Sequence, residues 1–100
     1  MQRRNLLLAL ASTTLPFTAM AAAPMVEIWK DPNCGCCQDW VKHLNKNGFA
    51  TKVHDEGNAA ARTRLGVPAK LGSCHTGLIG GYAIEGHVPA REVRRLLKEK

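Results

Sequence analysis

Met25-Val26-Glu27-Ile28-Trp29-Lys30-Asp31-Pro32-Asn33-Cys34-Gly35-Cys36-Cys37 is the stretch that decides the fold. Met25 to Trp29 alternates or runs apolar and predicts a first strand. Asp31-Pro32-Asn33 is a turn signal. A helix is expected from near Cys36 to Asn47, because Cys37, Val41 and Leu44 fall at i, i+4 and i+7, with Trp40 adjoining them. Asn47-Gly48 ends it, since Gly48 is free to take the left-handed backbone at a helix terminus. A dense cysteine motif therefore stands between a first strand and a first helix.

Working outward, Phe49-Ala50-Thr51-Lys52-Val53-His54 reads as a second strand. Asn58 to Leu65 reads as a short helix with Asn58 as its cap, closed by Gly66-Val67-Pro68. Thr76 to Gly80 and Tyr82 to Glu85 read as two strands joined at Gly80-Gly81, a hairpin signal. Pro89 is expected at the first position of a last helix, Ala90 to about Lys98, with Val93, Leu96 and Leu97 as its buried stripe. The order is β-α-β-α-β-β-α. The β-α-β half argues for a parallel pair with a right-handed crossover, and the hairpin adds an antiparallel pair. The expected fold is α/β and thioredoxin-like: a four-stranded mixed sheet with three flanking helices. A C-x-x-C beside such a β-α-β unit is itself a thioredoxin-like signal.

The N-terminal stretch does not read as part of that domain. Arg3 and Arg4 form a positive n-region, Leu6 to Phe17 an apolar h-region, and Ala19-Met20-Ala21 a small-x-small cleavage pattern. Ser12, Thr13, Thr14 and Pro16 break the run, and a bilayer span takes roughly 20 apolar residues. The expectation is a cleaved export signal over residues 1–21 and a single domain over residues 22–100. The protein is then periplasmic, by the Sec or the twin-arginine route, with no stable membrane insertion after processing. The formal net charge is +6, of which Arg3 and Arg4 supply two. Arg91, Arg94, Arg95, Lys98 and Lys100 are interleaved with Glu92 and Glu99 on the last helix. They read as a solvated face, and no nucleic-acid motif accompanies them.

All four cysteines, Cys34, Cys36, Cys37 and Cys74, lie beyond the signal, in an oxidising compartment. The metal ligand and the nucleophile are both the thiolate, which a helix N-terminus favours. Cys34 and Cys37 can face one side across the first turn, and Cys36 is rotated from Cys37 by about 100°. Gly35 is expected to permit the tight backbone path among them. A disulfide oxidoreductase needs two cysteines, and a third beside Cys37 favours metal over exchange chemistry. Thiolates are soft and can bridge two ions, which suits Cu(I) better than the single four-ligand centre usual for zinc. Structural disulfides, and a Cys74 bridge to Cys34 or Cys37 in a metal-free form, remain open.

Two further clusters belong to the expected site. Ser73-Cys74-His75-Thr76 precedes the third strand, where the thioredoxin plan faces the C-x-x-C, and brings a fourth sulfur and an imidazole. Gly86-His87-Val88-Pro89 joins the last strand to the last helix on the same rim. His75 reads equally as a ligand or as a strand-edge histidine. His43 and His54 read as surface residues, Met25 as a packing residue in or near the first strand, and Trp40 as core.

Taken together, Trp29-Lys30-x-Pro32-x-Cys34-Gly35-Cys36-Cys37, Trp40, Leu65-Gly66-Val67-Pro68, Ser73-Cys74-His75-Thr76 and Gly80-Gly81-Tyr82-x-Ile84-Glu85-Gly86-His87-Val88-Pro89 closely resemble the exported copper-resistance family called CopG. The resemblance runs from Val26 to about Leu97. It implies a periplasmic thioredoxin-like domain that binds several copper ions through bridging cysteines, with Cys34, Cys36, Cys37, Cys74, His75 and His87 as ligand candidates. It is compatible with sequestration, with delivery to other periplasmic copper-handling proteins, and with oxidation-state change of copper. A thiol-disulfide or copper-redox oxidoreductase is the alternative function, and a structural zinc or Fe–S domain a further one. Family members continue past the last helix in a tail rich in Gly, Pro and Met. This sequence ends at Lys100; if such a tail adds methionine donors or covers the cluster, fewer ions or a more open site are expected here.

Overall fold

The computed structural model describes residues 23–99; the expected export signal over residues 1–21 lies outside them. The elements are β1 Met25–Lys30, α1 Gly35–Lys46, β2 Ala50–His54, α2 Ala59–Leu65, β3 His75–Ile79, β4 Tyr82–Glu85 and α3 Ala90–Glu99. A short 3-10 turn, Ala69–Leu71, follows α2. The four strands form one mixed sheet in the order β2-β1-β3-β4. β1 and β2 are parallel, with Ile28 beside Val53, whereas β1–β3 and β3–β4 are antiparallel. This is the expected four-stranded mixed α/β sheet with three helices.

Alternation along β1 assigns its side chains to two faces. Val26 and Ile28 are fully buried beneath α1 and α3, in one core with Trp40, Val41, Leu44, Phe49, Ile79, Ile84, Ala90 and Val93. Trp29 points to the opposite face, where its ring stacks on His54 and lies under the Arg64 guanidinium of α2. Met25 opens β1 with its side chain 54% exposed, so the packing role expected for it is not taken.

Cys37, Trp40, Val41 and Leu44 are the buried residues of α1. Its C-terminus closes with Phe49 N–H donating to Leu44 O (3.0 Å) and Gly48 N–H to Asn45 O (3.3 Å). Gly48 holds φ +89° between them, the left-handed position this motif requires. The Gly80-Gly81 turn places both residues at positive φ, as a two-residue hairpin demands. Pro89 stands one residue ahead of α3, its carbonyl accepting from Glu92 and Val93.

Gly77, in the middle of β3, controls the approach of α1. A Cβ there would lie 3.0 Å from Trp40 Cη2 and 3.4 Å from Val26 Cγ1. The missing side chain leaves room for the edge of the Trp40 indole against β3, and so lets α1 pack closely over the strand that His75 opens.

Candidate metal centre

Cys34 is the residue before α1, with extended backbone (φ −91°, ψ 107°), and its sulfur accepts the Cys37 N–H at 3.3 Å. A cysteine sulfur thus does what Ser or Asp usually does at a helix start, beside the positive end of the helix dipole. Cys36 Sγ lies 3.1 Å from Cys34 Sγ. Cys74, on the turn before β3, completes the group: the sulfurs of Cys34, Cys37 and Cys74 lie within 4.8 Å of one another. Cys37 is buried, Cys34 half-buried, and Cys36 and Cys74 are exposed. All four thiols are free. Gly35 adopts ordinary helical backbone, and a Cβ on it would meet nothing within 4 Å. The tight path expected of that glycine is therefore not what brings the sulfurs together; the strand-to-helix junction does so.

The cluster divides into one acidic thiol and three reluctant ones. The Cys34 thiol is lowered to about 7, first by hydrogen bonding from the Cys37 side chain, then from Cys36 and the Cys37 backbone. Burial, and then the charge and hydrogen bond of Cys34, push Cys37 far up. Cys36 and Cys74 are raised mainly because each donates to Cys34. Near neutral pH Cys34 is the thiol poised to ionise, flanked by thiols that hold their protons, and a cation arriving there would displace protons from the cluster.

His75 is 3% exposed and lies face to face with Trp40, ring centroids 4.6 Å apart. Its Nδ1 is 3.1 Å from Cys37 Sγ. Its Nε2 is buried with no hydrogen-bond partner among the described residues. Burial lowers the imidazole pKa and keeps the ring neutral, the state a metal requires. His75 opens β3 and its ring hydrogen-bonds the Cys37 sulfur, so both expectations for it, strand-edge hydrogen bonding and a place at the cluster, meet in one contact. His87 is exposed on the same rim, its ring 6.5 Å from that of His75 and 6.0 Å from that of His43.

His43 and His54 are more than surface residues. His43 Nε2 accepts the Ala90 N–H at 2.9 Å and so caps α3. His54 Nε2 lies 2.7 Å from Glu27 Oε2. Trp40, one turn before His43, donates Nε1–H to Val88 O at 2.7 Å. Trp40 and His43 together tie the His87 loop to the helix that carries Cys36 and Cys37.

A polar clamp shapes the Cys74 turn. Glu85 Oε2 accepts the Ser73 N–H (2.6 Å) and lies 2.7 Å from Ser73 Oγ, while Oε1 accepts from Thr76 Oγ1 (2.5 Å). Asn58 Nδ2 donates to Ser73 O (2.9 Å) and Thr76 Oγ1 (3.0 Å). Asn58 stands at the start of α2 as expected, but makes no side-chain cap bond there, because its amide is turned to this clamp. Hairpin register gives the signal for Glu85: a two-residue turn pairing Ile79 with Tyr82 pairs Thr76 with Glu85.

Fold and site define a small mixed α/β protein with a thiol cluster able to hold a soft metal ion. Comparison with solved structures makes the relationship specific. Two structures titled copper resistance protein CopG, form 1 and form 2, match at 48% and 49% identity with TM-scores of 0.71 and 0.70. The matches cover 76% and 75% of this chain and 62% and 61% of those chains, so the chain spans about three fifths of their length. The chain is a relative of CopG, as its motifs indicated. Residues 71–100 also match the family described as "Protein of unknown function, DUF411". No curated protein matches significantly. No helix among the described residues is long and apolar enough to cross a membrane.

Proposed function

We propose that this protein is an exported copper-binding protein of copper resistance, which holds Cu(I) in a cluster bridged by Cys34, Cys36, Cys37 and Cys74. One observation carries this reading: three sulfurs from segments about 40 residues apart in sequence lie within 4.8 Å. His75 and His87 complete the donor set, His75 through its neutral buried ring and His87 from the rim. Cu(I) is the favoured cargo, zinc less so, because several thiols crowded at one helix end suit bridging better than a lone tetrahedral ion. The 48% identity to proteins titled copper resistance protein supports the assignment. The sheet order and the cysteines at the start of α1 support a thioredoxin-like fold. The sequence pattern of residues 1–21 supports a cleaved signal and a periplasmic location, where other copper-handling proteins would be the partners.

Titration of the reduced protein with Cu(I) under anaerobic conditions tests this. A sharp endpoint above one ion per chain is expected, and it is lost when Cys34 and Cys37 are both changed to Ser. Weak binding that is indifferent to those changes would overturn the proposal.

The second reading is a thiol-disulfide or copper-redox oxidoreductase, favoured by the acidic Cys34 thiol at the start of α1. Reduction of insulin or glutathione disulfide by the metal-free, fully reduced protein tests the exchange form. No turnover with intact thiols rejects it.

A further inference from the structure

The geometry points to Glu85 as the positioning residue that places the Cys74 sulfur at the cluster. The inference rests on the copper-binding reading and adds a residue to it that makes no contact with the thiols.

Three sulfurs come from one helix start and are held by the α1 backbone itself. Cys74 lies outside any helix, and its own backbone is tied through its carbonyl, which accepts the Asp31 N–H. It is an exposed residue on a turn, and joins the cluster only if that turn keeps its shape. Among the described residues there is no cis peptide bond to shape it. The turn is shaped instead by side chains bonding to its backbone and flanks. Glu85 takes the N–H of the residue before Cys74 and the hydroxyl of the residue after His75, one on each carboxylate oxygen. The carboxylate therefore spans the Ser73-Cys74-His75-Thr76 turn from end to end. Ser73 Oγ can place its one proton on Glu85 or on His75 O, 2.8 Å away, and accepts the His75 N–H at 3.3 Å. Asn58 holds the opposite side through Ser73 O. Asp31 N–H bonds Cys74 O at 3.2 Å and ties the turn to the loop before Cys34.

Bonds to a charged acceptor are stronger than neutral ones, and Glu85 concentrates them. Thr76 is fully buried and Asn58 8% exposed, so water is a poor substitute for the carboxylate on that side. With Glu85 neutralised, the turn keeps its chain path and loses its fixed span. Cys74 is the ligand that moves.

The test is Glu85→Gln, measured by competition for Cu(I) against a chromophoric chelator in three backgrounds: wild type, Cys74→Ser and Cys36→Ser. Groups that orient a metal ligand from behind typically change affinity by about 10–100-fold when altered. A loss in that range is expected in the wild-type and Cys36→Ser backgrounds, with no further loss where Cys74 is already Ser. An equal loss in all three backgrounds would mean that Glu85 serves the fold generally, and would overturn the inference. So would no loss in the wild type. Ser73→Ala, which removes one donor and keeps the carboxylate, repeats the series should Glu85→Gln not fold. If the unaltered protein fails to bind Cu(I), the copper reading falls. If Cys74→Ser weakens binding and Glu85→Gln does not, only the role of Glu85 falls.

Discussion

Trp40 and His75 lie face to face, ring centroids 4.6 Å apart and planes inclined by 22°. The contact joins the helix that carries Cys36 and Cys37 to the strand that begins just after Cys74. On its far side the same indole donates to Val88 O, next to His87. One core residue therefore touches two of the three segments of the candidate site and sits one turn from the third.

Trp40→Phe keeps a ring over His75 and removes the donor to Val88, leaving a part-buried carbonyl unpaired. Loss of one such bond, with an unsatisfied partner and some lost volume, is worth about 1–3 kcal/mol. Urea unfolding of the metal-free, reduced protein is expected to show a lower midpoint with an unchanged slope. The His87 ring resonances are expected to move as well.

Two glycines should respond in opposite ways to alanine. At Gly77 a methyl group meets the Trp40 and Val26 side chains at 3.0 and 3.4 Å, and both are fully buried in the core. Overpacking of this kind costs about 1–3 kcal/mol, more than the entropy that alanine recovers. At Gly35 the methyl group meets nothing. Alanine in the first turn of α1 is then expected to raise stability by about 0.5–1 kcal/mol. Thermal melts of both variants check the contrast, and a stabilised Gly77→Ala would contradict the packing described.

The acidity of Cys34 gives a pH dependence with a definite sign. Its folded-state pKa, about 7, lies below the ordinary 9.0. A lowered acid contributes stability that is complete above the unfolded value and is lost as pH falls through the folded one. In the metal-free, reduced protein the Cys34 contribution therefore grows between about pH 7 and pH 9. Cys36, Cys37 and Cys74 are raised above 9.0, so they oppose this only in more alkaline solution. The stability gap between the wild type and Cys34→Ser is expected to widen over that window. Alkylation by iodoacetamide is expected to show a fast thiol with a midpoint near 7.

Much of this was legible in the sequence, and what was missed has a common cause. The apolar spacing of Cys37, Val41 and Leu44 gave α1, and Gly80-Gly81 gave the hairpin, because each is a local pattern. The meeting of Cys74 with Cys34 and Cys37 follows from topology alone. In sequence His43 looks exposed, because its helical position says nothing of Ala90, 47 residues away. Asn58 stands where a helix cap would but bonds Ser73 and Thr76 instead, since a cap and a long-range clamp want the same residue type. Glu85 lay within reach of register counting, but an acid near a strand end reads as solvated until its partners Ser73 and Thr76 are counted across the turn.

X-ray absorption at the copper edge, on protein loaded with Cu(I), tests most directly whether both cysteine segments share one centre. A sulfur shell with a short copper–copper distance is expected in the wild type, and that distance should disappear in Cys74→Ser. A single copper whose spectrum is the same with and without the Cys74 thiol would contradict a centre built from both ends of the chain.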